Sequence, residues 1–305
     1  MTCVDNLMFG GESLLNIWNN KKFKFYNCDI NNTNKFDEIF SENNFYGVIH
    51  LAAIVGDPAC KLYTDLAYKT NWLSSKWLIE RSKSARVSKF IFASTCSNYG
   101  KMHDPEAYVD EDSRLAPISI YAELKVKFEK YMLNEMQKLD GFFPTSLRFA
   151  TVYGLSPRMR FDLTVNEFTK ELTLGRELVI FGEKFWRPYC HVKDFSNAFI
   201  SVLNSSNEKV AYKVFNVGDT NENYTKQMLV NEIKKVLPDS KIKYITAEDD
   251  PRDYKVNCDK IKKELGFKIS MTVQDGIREI NSAIQENLIK DTENPKYYNI
   301  PNVRR

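Results

Sequence analysis

The chain alternates short apolar-rich runs with segments of helical length, and that alternation limits the folds open to it. Tyr46–Ala53 (YGVIHLAA) is an apolar run that needs cover on both faces, as the strands of a parallel sheet do. Val87–Ser94 (VSKFIFAS), Thr145–Ala150 (TSLRFA) and the shorter Lys24–Cys28 read as further strands. Leu66–Ser84 and Ile120–Lys138 have helical length and amphipathic spacing, and the links are long enough for the crossovers that parallel neighbours require. These features predict an α/β protein built on a mostly parallel sheet.

The texture changes after Gly154. Leu155–Arg160 (LSPRMR) is turn-rich, Asp162–Leu174 is predicted helical and Glu177–Phe181 a short strand, and Lys193–Leu203 reads as a helix returning to the first half. Strands at Val214–Val217 and Lys241–Ile245 and helices at Lys226–Val236 and Val273–Glu286 follow. The expected division is a first domain from residues 1–154 and 187–218, a smaller lobe from 155–186 and 219–290, and a partly ordered extension over 291–305.

With 43% hydrophobic and 27% charged residues, the 305-residue chain has the balance of a soluble globular protein. Its 43 basic and 40 acidic residues leave a formal charge of +3, too even to point to nucleic acid or a membrane surface. No apolar run reaches the roughly 18 residues of a membrane span, and Met1–Asn6 lacks the basic start and apolar stretch of a signal peptide. A cytoplasmic location is expected. The six cysteines form no C-x-x-C pair, and several sit in apolar runs and read as small buried hydrophobes in a reducing compartment. His50, His103 and His191 belong to no ligand cluster, so no metal is expected.

Chemistry centres on Tyr121-Ala122-Glu123-Leu124-Lys125. On a helix, positions i and i+4 share a face, and a cation there favours phenolate over phenol, making a general acid/base for an alcohol or sugar hydroxyl. Tyr189 and Lys193 have the same spacing, so context must decide. Ser94-Thr95-Cys96-Ser97-Asn98-Tyr99-Gly100 places small hydroxyl residues at the end of a parallel strand, where α/β sheets bind substrates. Pro117 marks a helix start just ahead of Tyr121. Val4-Asp5-Asn6-Leu7 reads as a strand ending in a carboxylate, or equally as a common Asp-Asn turn.

From residue 3 to about residue 288 the chain resembles an extended short-chain dehydrogenase/reductase of the NAD-dependent epimerase/dehydratase family, whose members mostly modify nucleotide-linked sugars. The resemblance rests on an ordered set: Val4-Asp5-Asn6-Leu7, Cys28-Asp29-Ile30, His50-Leu51-Ala52-Ala53, Asn71, Thr95 ahead of Asn98-Tyr99-Gly100, Tyr121-x-x-x-Lys125, Leu147-Arg148-Phe149 and Arg187-Pro-Tyr-Cys-His-Val-Lys-Asp194. It implies a Rossmann-like doubly wound parallel sheet with a smaller C-terminal substrate lobe, NAD as cofactor, a nucleotide-sugar substrate and a homodimer paired through Leu66–Ser84 and Ile120–Lys138. By the same resemblance Asp5 and Asn6 hold the adenosine ribose, Asp29 and Ile30 flank the adenine, and Leu51, Ala52, Ala53 and Asn71 belong to the cofactor cleft. Tyr121 is then the acid/base, Lys125 holds the nicotinamide ribose, Thr95 bonds the reacting sugar oxygen, and Arg187 contacts the nucleotide diphosphate. Tyr189 and Lys193 fall in a later motif and are expected to be structural.

Three departures qualify that expectation. None of the twelve glycines forms the Gly-x-x-Gly-x-x-Gly turn that cradles the cofactor pyrophosphate, and Asp5 has only four residues before it. The expected first strand would lie between the Asp5 strand and Tyr46–Ala53, so Met1 is expected to be internal to a product beginning roughly 25 residues earlier. The rival expectation is a non-catalytic remnant or nucleotide-sugar-binding protein that has lost the cofactor. Next, Cys96 and Ser97 stand where the family's dehydratases carry Asp-Glu, which favours epimerisation or keto reduction over elimination. Finally, Asp250 precedes Pro251 where relatives often have a diphosphate-binding arginine, leaving Arg252 as the nearby candidate.

Overall fold

The computed structural model describes residues 1–102, 104, 106–245 and 252–300. Among these the strands are, in chain order, β1 (Thr2–Asp5), β2 (Lys24–Asn27), β3 (Gly47–His50), β4 (Lys89–Thr95), β5 (Phe143–Phe149), β6 (Thr151–Tyr153), β7 (Leu178–Phe181), β8 (Trp186–His191), β9 (Lys213–Val217), β10 (Asn223–Thr225) and β11 (Ile242–Ile245). β3, β4, β5 and β9 lie side by side in that order. β3 and β4 run parallel, with Gly47 opposite Lys89 and His50 opposite Phe92. The protein is a mixed α/β fold on a Rossmann-like parallel sheet.

The chain forms two compact units. The first comprises Met1–Ala93, Ser119–Ser146 and Ser206–Lys213; the second comprises Ser94–Ile118, Leu147–Ser205 and Val214–Arg305. In the first unit the aromatic residues of β4 set the core: Phe90 and Phe92 pack with Phe128, Phe142, Leu78 and Ile79, and the rings of Phe92 and Phe128 meet edge-on at 4.6 Å. A helix over Thr33–Glu42 that the spacing had not suggested turns Phe36 and Phe40 onto this core. Its start is marked by Asn32, whose side chain accepts from the Lys35 N–H.

β1 and β2 pair with each other in parallel, Thr2 opposite Lys24 and Asp5 opposite Asn27, in a sheet separate from that of β3. The cover on both faces expected of Tyr46–Ala53 is not found: Ile49 on β3 is 39% exposed and Leu51, just after it, 57%. The predicted helix Leu66–Ser84 is three pieces: α-helix at Thr64–Tyr68, a π-helical stretch at Lys69–Ser74, and α-helix at Ser75–Ser84. Ile120–Lys138 likewise resolves into an α-helix over Ile120–Lys130 and a π turn over Tyr131–Glu135, closed by extended Met136.

In the second unit β8 runs parallel to β6 and antiparallel to β10, and β7 pairs in parallel with β11. Helices Thr164–Thr173, Lys226–Lys234 and Val273–Gln285 enclose a core of Tyr153, Phe168, Leu229, Ile233 and Ile277. Thr272 and Asp275 start the last helix with a capping box. Two glycines are forced by close approach. A Cβ on Gly276 would lie 2.5 Å from the Tyr153 ring, and Gly154, at φ +111°, would put one 2.1 Å from His191 Nε2.

Within the extension expected to be partly ordered, residues 296, 298 and 299 are held by hydrogen bonds. Arg158 donates from Nε to the Lys296 carbonyl at 2.7 Å and from Nη2 to the Tyr298 carbonyl at 3.3 Å. Tyr297 and Tyr298 pack against Met159, Phe161 and Ile280. Residues 301–305, like Asp249, Asp250 and Pro251 of the third departure, lie outside the described residues.

Candidate active site

The Tyr121 helix begins at Ser119, whose Oγ accepts from the Ala122 N–H and donates to Asp57 Oδ1 over 2.6 Å. One turn on, Lys125 is 4% exposed and its Nζ donates to the Ala93 carbonyl at 2.7 Å. The same ammonium lies 4.6 Å from the Phe92 ring centroid and 5.8 Å from that of Tyr121, which is half-buried. Burial pulls the Lys125 ammonium down to about 8. The helix therefore aligns a phenol with a cation that is protonated at neutral pH and held in place by a carbonyl.

The adenosine-end candidates meet at the carboxyl ends of β1 and β2. Asp5 is exposed and its Oδ1 accepts from the Leu7 N–H at 2.7 Å. Asn6 Nδ2 donates to Asp29 Oδ2 at 2.8 Å. Burial raises the Asp29 carboxyl, but hydrogen bonds from Asn31 and Asn6 outweigh it and hold the group below the usual carboxylate range. Ile30 is buried, Leu51 and Ala52 are exposed, and Ala53 is half-buried. Asn71 is buried with both polar atoms on the loop backbone: Oδ1 accepts from the Ile54 N–H at 2.8 Å and Nδ2 donates to the Ile54 carbonyl at 2.9 Å.

The remaining candidates belong to the second unit. Thr95 closes β4, is buried, and accepts from the Ser97 N–H at 3.1 Å. Arg187 on β8 is half-buried, its guanidinium 5.3 Å from the Tyr254 ring centroid and donating to the Trp186 carbonyl. Arg252 is half-buried. Tyr189 is a buried residue of β8 while Lys193 lies on helix Val192–Asn204, so this pair spans a strand-to-helix junction and lacks the shared helical face. Asp57 and Ser75 were not singled out, and His50 entered only within the His50-Leu51-Ala52-Ala53 motif. Asp57-Pro58 carried only the signal of a helix start, and hydroxyl contacts across 62 residues leave no local pattern.

Residues 4–218 match the model of the NAD dependent epimerase/dehydratase family. The chain belongs to that family. It is 27% identical over 297 residues to a UDP-glucuronate 4-epimerase from Thermodesulfobacterium geofontis, spanning 93% of this chain and 88% of the relative. A UDP-glucose 4-epimerase from Thermotoga maritima, solved with UDP-glucose, superposes with a TM-score of 0.80 at 27% identity, covering 94% of this chain and 91% of that one. A UDP-glucuronic acid 4-epimerase from Bacillus cereus, solved with UDP-glucuronic acid and NAD, shares the fold with a TM-score of 0.79 at 22% identity, over 93% and 90% of the two chains.

Proposed function

We propose that this protein is an NAD-dependent nucleotide-sugar epimerase or ketoreductase acting at a sugar carbon. The observation that carries it is the Tyr121–Lys125 pair on one helical face, with the ammonium buried against Ala93. Tyr121 would take the proton from the reacting sugar hydroxyl and return it, and the adjacent ammonium favours its phenolate. NAD, when bound, supplies the acceptor and donor of a hydride. Asp5, Asn6 and Asp29 suit its adenosine end: an exposed carboxylate and a second one joined through Asn6 offer acceptors for ribose hydroxyls. The exposed Leu51 and Ala52 offer an apolar surface, and Lys125 a donor for the second ribose. Thr95 would bond the reacting oxygen, and Arg187 and Arg252 the diphosphate. The UDP-sugar epimerase relatives support this substrate class.

The test is Tyr121→Phe in the full chain, assayed with UDP-glucose and UDP-glucuronate. Turnover should fall by about a hundredfold or more while NAD affinity stays unchanged. Unaltered turnover would remove Tyr121 from the chemistry. Calorimetric titration with UDP-glucose and NAD complements that assay: binding of the sugar nucleotide without NAD would count against the NAD-dependent reading. We also infer a homodimer, supported by the exposed Leu66 and Leu73 on the helical run Thr64–Ser84. Sedimentation equilibrium would test it, a monomer at all concentrations counting against it.

A further inference from the structure

The π-helical stretch Lys69–Ser74 breaks the regular backbone ladder of its helix. A side chain takes up one carbonyl there: Ser75 Oγ donates to the Thr70 carbonyl, five residues back, at 3.1 Å. A hydroxyl carries one hydrogen; with it on the Thr70 carbonyl, Ser75 Oγ accepts from its other neighbour, His50 Nε2, at 2.8 Å, which assigns His50 the tautomer protonated on Nε2. It is 3% exposed, among the rings of Phe90, Phe92 and Phe128. Burial, reinforced by the Lys125 charge, holds its imidazole down to about 3, so it stays neutral.

The same turn grips two loops. Asn71 holds the Ile54 backbone in the loop after β3. Thr70 Oγ1 accepts from Asn31 Nδ2 at 3.0 Å, and Ser74 Oγ donates to Asn31 Oδ1 at 2.8 Å, in the loop after β2. Asn31 follows Asp29 and Ile30, and Ile54 follows Leu51, Ala52 and Ala53.

We propose that His50 and Ser75 are positioning residues: the imidazole, by donating to the serine hydroxyl, locks the π turn and through it the two loops that carry the adenosine-end and cleft residues. Its consequence for cofactor binding rests on the function proposed above; the lock itself does not.

The test follows amide hydrogen exchange by NMR in the full chain for wild type, His50→Leu, His50→Gln and Ser75→Ala. Glutamine can offer an N–H where Nε2 lies, and leucine cannot. His50→Leu and Ser75→Ala should speed exchange of the Ile54 amide by about tenfold, the effect of one lost hydrogen bond, with the β4 amides unchanged. His50→Gln should restore wild-type protection. Wild-type exchange at Ile54 in both His50→Leu and Ser75→Ala, or failure of glutamine to rescue, overturns the lock. Should His50→Leu not fold, Ser75→Ala carries the same comparison. NAD affinity, measured in parallel, should fall with Ile54 protection. A wild type that binds no NAD, with the exchange pattern as expected, supports the lock and counts against the cofactor assignment.

Discussion

Ser119 Oγ donates to Asp57 Oδ1 over 2.6 Å while accepting from the Ala122 N–H, so one hydroxyl both caps the Tyr121 helix and ties it to helix Asp57–Leu62. Tyr121 lies two residues beyond that hydroxyl, so the angle at which the phenol leaves the helix depends on it. Ser119→Ala is expected to lower stability by about 1 kcal/mol, the usual worth of such a cap, and to reduce turnover further than that loss explains. Ser119→Thr keeps a hydroxyl and should restore both. Urea unfolding and steady-state kinetics on the two variants check this.

Lys125 is a buried cation whose ammonium bonds the Ala93 carbonyl. Its pKa is lowered by burial to about 8, below the ordinary lysine value, so the unfolded chain binds the extra proton between about pH 8 and 10.5. Stability contributed at this position therefore rises with pH across that window and is least at neutral pH. Lys125→Met is expected to melt several degrees above wild type at pH 7, with the gap shrinking by pH 9.5, and to lose turnover. Melting curves at the two pH values decide it.

The same sign holds for His50, on the acid side. Its folded pKa of about 3 lies below the unfolded value of 6.5, so only the unfolded chain gains a proton between those limits, and stability falls as pH drops through the window. His50→Gln lacks that proton site. It should therefore lose less stability than wild type between pH 7 and pH 4.5, measured as the shift in urea midpoint.

Gly154 holds φ +111° with His191 Nε2 directly against the space a side chain would fill, and its N–H donates to Asn166 Oδ1 at 3.0 Å. Gly154→Ala combines a strained backbone with a clash against a buried ring, and should cost about 3 kcal/mol. Chemical denaturation followed by circular dichroism would show the loss; a change below 1 kcal/mol would mean that the ring yields freely.

β4 and β5 were legible because burial on both faces leaves an apolar run that no loop or wet helix imitates. β4 was expected at Val87–Ser94 and lies at Lys89–Thr95; the helix at Val273–Gln285 differs from expectation by one residue. The Tyr121-x-x-x-Lys125 spacing was legible for the same reason: it is local, and the helix that aligns it is fixed by its own sequence. Tyr189 and Lys193 show the limit of that reasoning, because equal spacing across a strand-to-helix junction aligns nothing. The π turn escaped notice since Thr70, Ser74 and Ser75 suit an ordinary amphipathic helix. Its residues and Ser75 take partners, His50, Asn31 and Ile54, from elsewhere in the chain.

The contacts of Arg158 and Phe161 with Lys296, Tyr297 and Tyr298 have a bearing on synthesis. A ribosome that has translated as far as helix Val273–Gln285 has supplied Met159, Phe161 and Ile280 but none of the tyrosines that cover them. The cluster must wait, partly open, for a segment about 140 residues downstream of Arg158 to emerge. Until then Met159 and Phe161 lack the rings that cover them.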